Sequence, residues 1–294
     1  MCAAVFAIVI LSLALFVVSA NRSVKKYKDL TRLWKNGEYK EVYDESGLRL
    51  EEKPLDFFLL SMRGYSAFQL AVAQINNQDM QMYGDESIAA LRKALLQKSG
   101  ERSGRVHYVL GKAYFLKGAD YANQAIKYLE EAVSLSYRAE DIPEYLGLAY
   151  AELGDYRKSV EAFSEALSPA DKDDTNEAPS DILLLAIARS YFEMGEADSS
   201  RAYLIQCIDI SKDFTVQASA LLMLGKALMK EGDIEGAEQQ YLRVLREGGE
   251  RADARYELGV LYAARGENTK ARAEWRKVLR LDPAYTPAIA RLTM

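Results

Sequence analysis

The stretch Leu258–Pro283, LGVLYAARGENTKARAEWRKVLRLDP, holds two glycines seven residues apart, Gly259 and Gly266, and a small residue, Ala271, five further on. One copy could be a phosphate-cradling loop or a packing device. The chain makes further copies. Gly225, Gly232 and Ala237 keep the spacing in LGKALMKEGDIEGAEQQYLRVL, as do Gly147, Gly154 and Ser159 in LGLAYAELGDYRKSVEAFSEAL. Ala188, Gly195 and Ser200 follow it in IARSYFEMGEADSSRAYLIQCI; after Gly111 and Gly118 the small residue, Ala125, arrives two positions late. A period of about 34 residues with two helical runs per unit is the mark of a helical solenoid. A catalytic loop is not copied five times along one chain.

Helix packing explains each residue type. Leu258, Tyr262, Ala271, Trp275 and Val278 recur at helical spacing, so both runs of the last unit are amphipathic. Gly259 falls in mid-helix, at a cost of roughly 1 kcal/mol relative to alanine, which implies a close approach between helices, with Ala271 expected opposite. Gly266 stands where the first helix ends and supplies a left-handed cap. Asp155, Asp233 and Asn268 suit the start of a second helix, and Pro283 its end.

The motif resembles the tetratricopeptide repeat. The resemblance rests on Leu-Gly-x-x-Tyr at Leu110–Tyr114, Leu146–Tyr150 and Leu258–Tyr262, and on the bulky residues Phe163, Leu204, Tyr241 and Trp275. The small residues Ala166, Cys207, Val244 and Val278 close the units. It covers residues 103–283 in five units, near 103–136, 140–168, 181–213, 218–248 and 252–283, and implies an all-α, right-handed solenoid of helix-turn-helix pairs. Departures are Ala188 for glycine, Leu228 for tyrosine and the insertion before Ala125. Two degenerate units are expected in 22–102: Gly37 and Pro54 repeat the spacing of Gly266 and Pro283, and Gly64 and Ala94 resemble the ends of another unit with a lengthened first helix, between which NNQDMQMYGDE is an insertion. Residues 284–294 form a short cap, where incomplete cover by Ile289 and Leu292 would favour homo-oligomerisation.

Residues 2–20, CAAVFAIVILSLALFVVSA, carry no charge. As a helix they would span ~28 Å, close to the ~30 Å hydrocarbon core of a bilayer. The expectation is a single-pass N-terminal membrane anchor in a bacterial protein. Residues 22–35, RSVKKYKDLTRLWK, are +5, whereas 36–294 carry −10 of the chain's net −5. Basic residues after the apolar run favour cytoplasmic repeats. Val18-Ser19-Ala20 resembles a signal-peptidase site and would favour export. The basic cluster could also contact anionic lipid headgroups. An acidic array is poorly suited to nucleic acid.

Chemistry is sparse. His107, the one histidine, stands where the repeat places a packing residue, with no nucleophile motif beside it. Cys207 takes a small-residue core position, and the two cysteines offer neither a disulfide framework nor zinc spacing. The acidic stretch 168–180, SPADKDDTNEAPS, lacks the glycine and bidentate glutamate of a calcium loop and is expected to be surface loop. No catalytic residue, metal or cofactor is expected, and an enzyme is the class least supported.

In tetratricopeptide domains the concave groove is lined by first-helix positions around and just after the small residue. Carried onto this chain, these are Tyr108, Lys112 and Phe115; Tyr145 and Leu148; Arg189 and Phe192; Lys226 and Met229. The asparagine of the family's carboxylate clamp is absent: its place holds Lys112, Leu148, Arg189, Lys226 and Val260. The expected function is a membrane-anchored scaffold gripping a protein segment. The alternatives are a transport-accessory or solute-binding protein and an envelope-assembly component.

Overall fold

The structure, a computed structural model, describes residues 29–167 and 179–293. Among these residues every regular element is helical. The expected anchor (2–20), most of the basic cluster and the acidic loop from 168 to 178 lie outside them. No helix among the described residues is long and apolar enough to cross a membrane. Contacts divide the chain between Tyr145 and Leu146 into two units.

The first unit contains α1 (29–35), α2 (Tyr39–Glu52), α3 (Phe57–Val72), α4 (Asn77–Leu95), the short α5 (Lys98–Glu101), α6 (Gly104–Leu116) and α7 (Ala122–Ser134). α3 pairs with α4 and α6 with α7, and α6 also touches α3 and α4. Leu30 of α1 and Val42 of α2 are buried with Leu59 and Met62 of α3, so the N-terminal pair shares a core with the next.

The boundary falls within α8 (Ile142–Glu152). Beyond it come α9 (Tyr156–Leu167), α10 (Asp181–Met194), α11 (Ala197–Ile210), α12 (Phe214–Glu231), α13 (Ile234–Gly248), α14 (Ala252–Ala264), α15 (Asn268–Leu281) and α16 (Thr286–Thr293). Each packs on its successor from α9 onward, and the first helices α10, α12 and α14 touch in series. α12 starts a turn ahead of position 218, with the Asp213 carboxylate accepting from Thr215 N–H at 2.7 Å. α16 buries Ala288 and packs Leu292 on the cluster that Ala288 forms with Ala271, Trp275 and Val278, while Ile289 stays 40% exposed.

The mid-helix glycines decide how pairs close. A β-carbon on Gly147, Gly225 or Gly259 would overlap the ring of Phe163, Tyr241 or Trp275 respectively, each sixteen residues later. The partner of Gly259 is therefore the Trp275 ring, not Ala271: the missing side chain leaves room for a large one, while Ala271 is buried in the same cluster as the ring. Where alanine replaces glycine at Ala188, position 204 holds the slimmer leucine, fully buried. Gly111 faces Leu129, eighteen residues on, because the two extra residues are taken up where a three-residue 3-10 turn, Ala119–Tyr121, precedes α7. Gly64 is likewise a mid-helix packing residue of α3 and not the end of a unit; it faces Leu91, twenty-seven residues on. The stretch read as an insertion is Asn76 as the N-cap of α4, accepting from Asp79 N–H at 2.8 Å, followed by that helix's first turns, so the longer helix of this pair is the second (19 residues) and not the first (16 residues).

Turn chemistry follows the pattern of small caps. At Gly195 (φ 80°) the left-handed backbone lets its own N–H reach Phe192 O (3.1 Å) while Glu196 N–H reaches Tyr191 O (2.9 Å), a Schellman closure. The Asp233 carboxylate accepts from Gly236 N–H (2.9 Å) and that of Asp155 from Lys158 N–H (3.3 Å). Asn268 does not cap: it is already the first residue of α15, and Glu267 occupies the capping place without a side-chain bond.

Candidate functional site

In the first unit, Tyr108, Lys112, Phe115 and Tyr145 come together on the first-helix face. Lys112 Nζ lies 2.7 Å from Asp141 Oδ2 and 3.0 Å from the Tyr108 hydroxyl, which donates to Asp141 Oδ1 at 2.8 Å. The ammonium also sits 4.5 Å from the centre of the Tyr145 ring, which meets Phe115 edge-on at 5.2 Å. Desolvation pulls the Lys112 pKa down, but the hydrogen bonds to Asp141 and Tyr108 and the nearby negative charge outweigh it, so the group is held above its ordinary value. Burial, reinforced by Asp141 against Lys112, pushes the Tyr108 hydroxyl up to about 12. This lysine is engaged inside the fold and is only 13% exposed. A partner's carboxylate would have to displace Asp141 to reach it.

The second unit is arranged differently. Leu148, Arg189 and Lys226, expected on the groove, line one hollow of about 470 Å³ together with Leu185, Leu222 and Met223. Ile182, Ala186 and Ser219 complete the lining, which contains two bases and no acid. Lys226 Nζ contacts Glu257 Oε1 at 2.9 Å and is half exposed. Arg189 is exposed and has no hydrogen-bond or ion-pair partner among the described residues. Phe192 lies under Lys230, whose Nζ is 3.6 Å from the ring centre, and Met229 packs partly buried on the unit's core.

Several members escaped the sequence reading. Asp141 is one repeat period beyond Tyr108, and a search for opposite charges one period apart would have found it. The hollow's apolar floor had no such signal, because Leu222 and Met223 are indistinguishable from core leucines and methionines by spacing. His107 is 6% exposed, its Nδ1 2.9 Å from Ser103 O and its Nε2 3.5 Å from Glu131 Oε2, a packed position on the inner side of α6. Cys207 is fully buried, and burial pushes its thiol up to about 11. The described residues bring no three His, Cys, Asp or Glu side chains into a metal-binding group.

Among curated proteins, none matches the chain. Solved structures do. The C-terminal part of a TPR repeat-containing protein from Cytophaga hutchinsonii superposes with a TM-score of 0.60 at 18% identity, over 91% of this chain and 100% of that one. PilW, described as a type IV pilus biogenesis factor, gives 0.59 at 20% identity over 79% and 98%. A tetratricopeptide repeat protein from Parabacteroides merdae gives 0.57 at 15% over 92% and 98%. At these identities the likeness is one of fold. Tetratricopeptide-repeat family models match residues 122–175, 183–214 and 222–286, together just over half of the chain. With helix pairs closed by a small residue against a large one, and with those models on the same stretches, the chain belongs to the tetratricopeptide-repeat family.

Proposed function

We propose that this protein is a non-catalytic scaffold that grips a segment of another protein along the first-helix face and is tethered to a bacterial membrane by residues 2–20. The observation carrying the proposal is the convergence of Leu148, Arg189 and Lys226, far apart in sequence, on one open hollow with an apolar floor and a positive rim. Such a mixture of aliphatic floor and charged rim suits a peptide chain, with side chains for the one and carboxylates for the other. Positions with photo-crosslinking residues decide it. A benzophenone side chain at Phe192, on the first-helix face, should form protein adducts in intact cells. One at Ile205, exposed on the second helix α11, should not. Equal labelling at both, or none at Phe192, defeats the reading.

The tether rests on the uncharged length of 2–20 and the basic residues that follow it. The basic cluster favours cytoplasmic repeats; export, as an envelope-assembly component needs, would rest on cleavage after Ala20. Deleting 2–20 should move the chain from the membrane to the soluble fraction. Protease added to intact spheroplasts should spare the repeats if they are cytoplasmic and digest them if they are exported.

A further inference from the structure

The proposed scaffold reading leaves open what kind of segment is held, and the second unit carries an answer that rests on that reading. We infer that the hollow between α8, α10 and α12 takes an acidic–aliphatic peptide segment: an aliphatic side chain seated on Leu185, Leu222 and Met223, with a neighbouring Asp or Glu gripped by Arg189. Three observations lead there. The chain has 43 acidic and 38 basic residues, yet the lining of this hollow contains two bases and no acid. Of the two, Lys226 already has Glu257, whereas the Arg189 guanidinium has no partner among the described residues. Its planar fork fits a carboxylate through two parallel hydrogen bonds, geometry that a lysine does not supply. Finally, the floor is apolar and adaptable, since Met223 rearranges more readily than a branched side chain would.

The contrast with the first unit sharpens the assignment. There the corresponding cation, Lys112, is neutralised by Asp141 and enclosed by Tyr108 and Tyr145. Recognition of negative charge therefore belongs to the α10–α12 hollow. Because the family's asparagine is absent, the grip is by arginine fork beside an aliphatic seat.

A phage-displayed library of short peptides, selected on the purified full chain in detergent micelles, tests this. Enriched sequences should pair Leu, Ile or Met with an adjacent Asp or Glu. A fluorescent peptide of that class should bind about tenfold or more weakly to Arg189→Glu, which sets a like charge against the peptide's acid. Ser219→Trp, at a half-exposed lining position, should block the hollow without disturbing the core. Replacing the peptide's acid with lysine should recover binding to Arg189→Glu. Selection without an acidic residue, or affinities unchanged in both variants, overturns the inference. If the peptides still suppress the Phe192 adduct while ignoring both variants, this assignment falls and the scaffold reading stands. Absence of the Phe192 adduct itself removes the scaffold reading.

Discussion

Gly225 of α12 and Tyr241 of α13 form a single packing element: the phenol ring occupies the space where a β-carbon on residue 225 would lie. The ring is 1% exposed and closed in by its own core, so it has no free direction in which to retreat. Helix propensity alone would make Gly225→Ala stabilising by roughly 1 kcal/mol. Overpacking a filled core costs about 1–3 kcal/mol, and here it wins. Gly225→Ala should lower stability in urea unfolding by ~1 kcal/mol. Adding Tyr241→Leu should cost less in that background than in the wild type, because Ala188 and Leu204 already make that pairing. Additive effects of the two changes would refute the complementarity.

At Gly232 the reason for glycine is backbone conformation. Its φ is 86°, with open space around the position of a β-carbon, so Gly232→Ala meets strain and no clash. Loss of about 1–2 kcal/mol is expected from the left-handed conformation. Gly232→Asn should lose less, since asparagine tolerates that region. A thermal melt comparing the two variants checks the order.

The Lys112–Asp141–Tyr108 cluster predicts a pH dependence. Both Lys112 and Tyr108 have folded pKa values above their ordinary ones, so each contributes stability that is full below its unfolded pKa. That contribution fades as pH rises past those values of 10.5 and 10.0 toward the folded ones. Lys112→Met should cost about 1–2 kcal/mol near pH 7, given partial solvent access at Asp141, and its deficit should shrink in strongly alkaline solution. A deficit independent of pH would mean that the lysine acts through its hydrocarbon stem alone.

With Cys2 replaced by serine, Cys207 is the remaining thiol. Its full burial, the Sγ contact to Asp181 O at 3.2 Å and a pKa of about 11 make it inert to thiol reagents at pH 8 in the folded chain. Prompt reaction should appear only in denaturant. Stoichiometric labelling under native conditions would show that α11 opens.

The positions where the backbone needs glycine were legible, because a side chain missing at a fixed interval, just where each first helix ends, points to the left-handed cap. Gly37, Gly154, Gly195, Gly232 and Gly266 all have positive φ. Identity of the mid-helix glycine's partner was less legible. Ala271 is nearer in sequence to Gly259 than Trp275 is, but the notch left by glycine is filled by the largest side chain that can reach it. The start of α4 was hidden because residues 77–83, NQDMQMY, open on Asn-Gln-Asp. Of their apolar side chains only Met80 and Tyr83, which meets the Tyr43 ring edge-on, reach partly buried positions, three apart and too few for a periodic signature. At the candidate site, the type of residue at Lys112 and Arg189 was visible and the difference between them was not. Whether a cation is already satisfied depends on Asp141, which approaches only when the turn before α8 is folded.

α4 carries fourteen residues ahead of Leu91, where α13 carries seven ahead of Tyr241. Seven residues are close to two whole turns, leaving a rotation of only ~20°. A helix can thus grow in such steps while its inward stripe keeps its bearing, which is how Gly64 still meets Leu91. Excising 77–83 should therefore leave that meeting place unchanged, whereas excising five residues would swing Leu91 away from Gly64; length in this pair is adjustable by the turn and not by the residue.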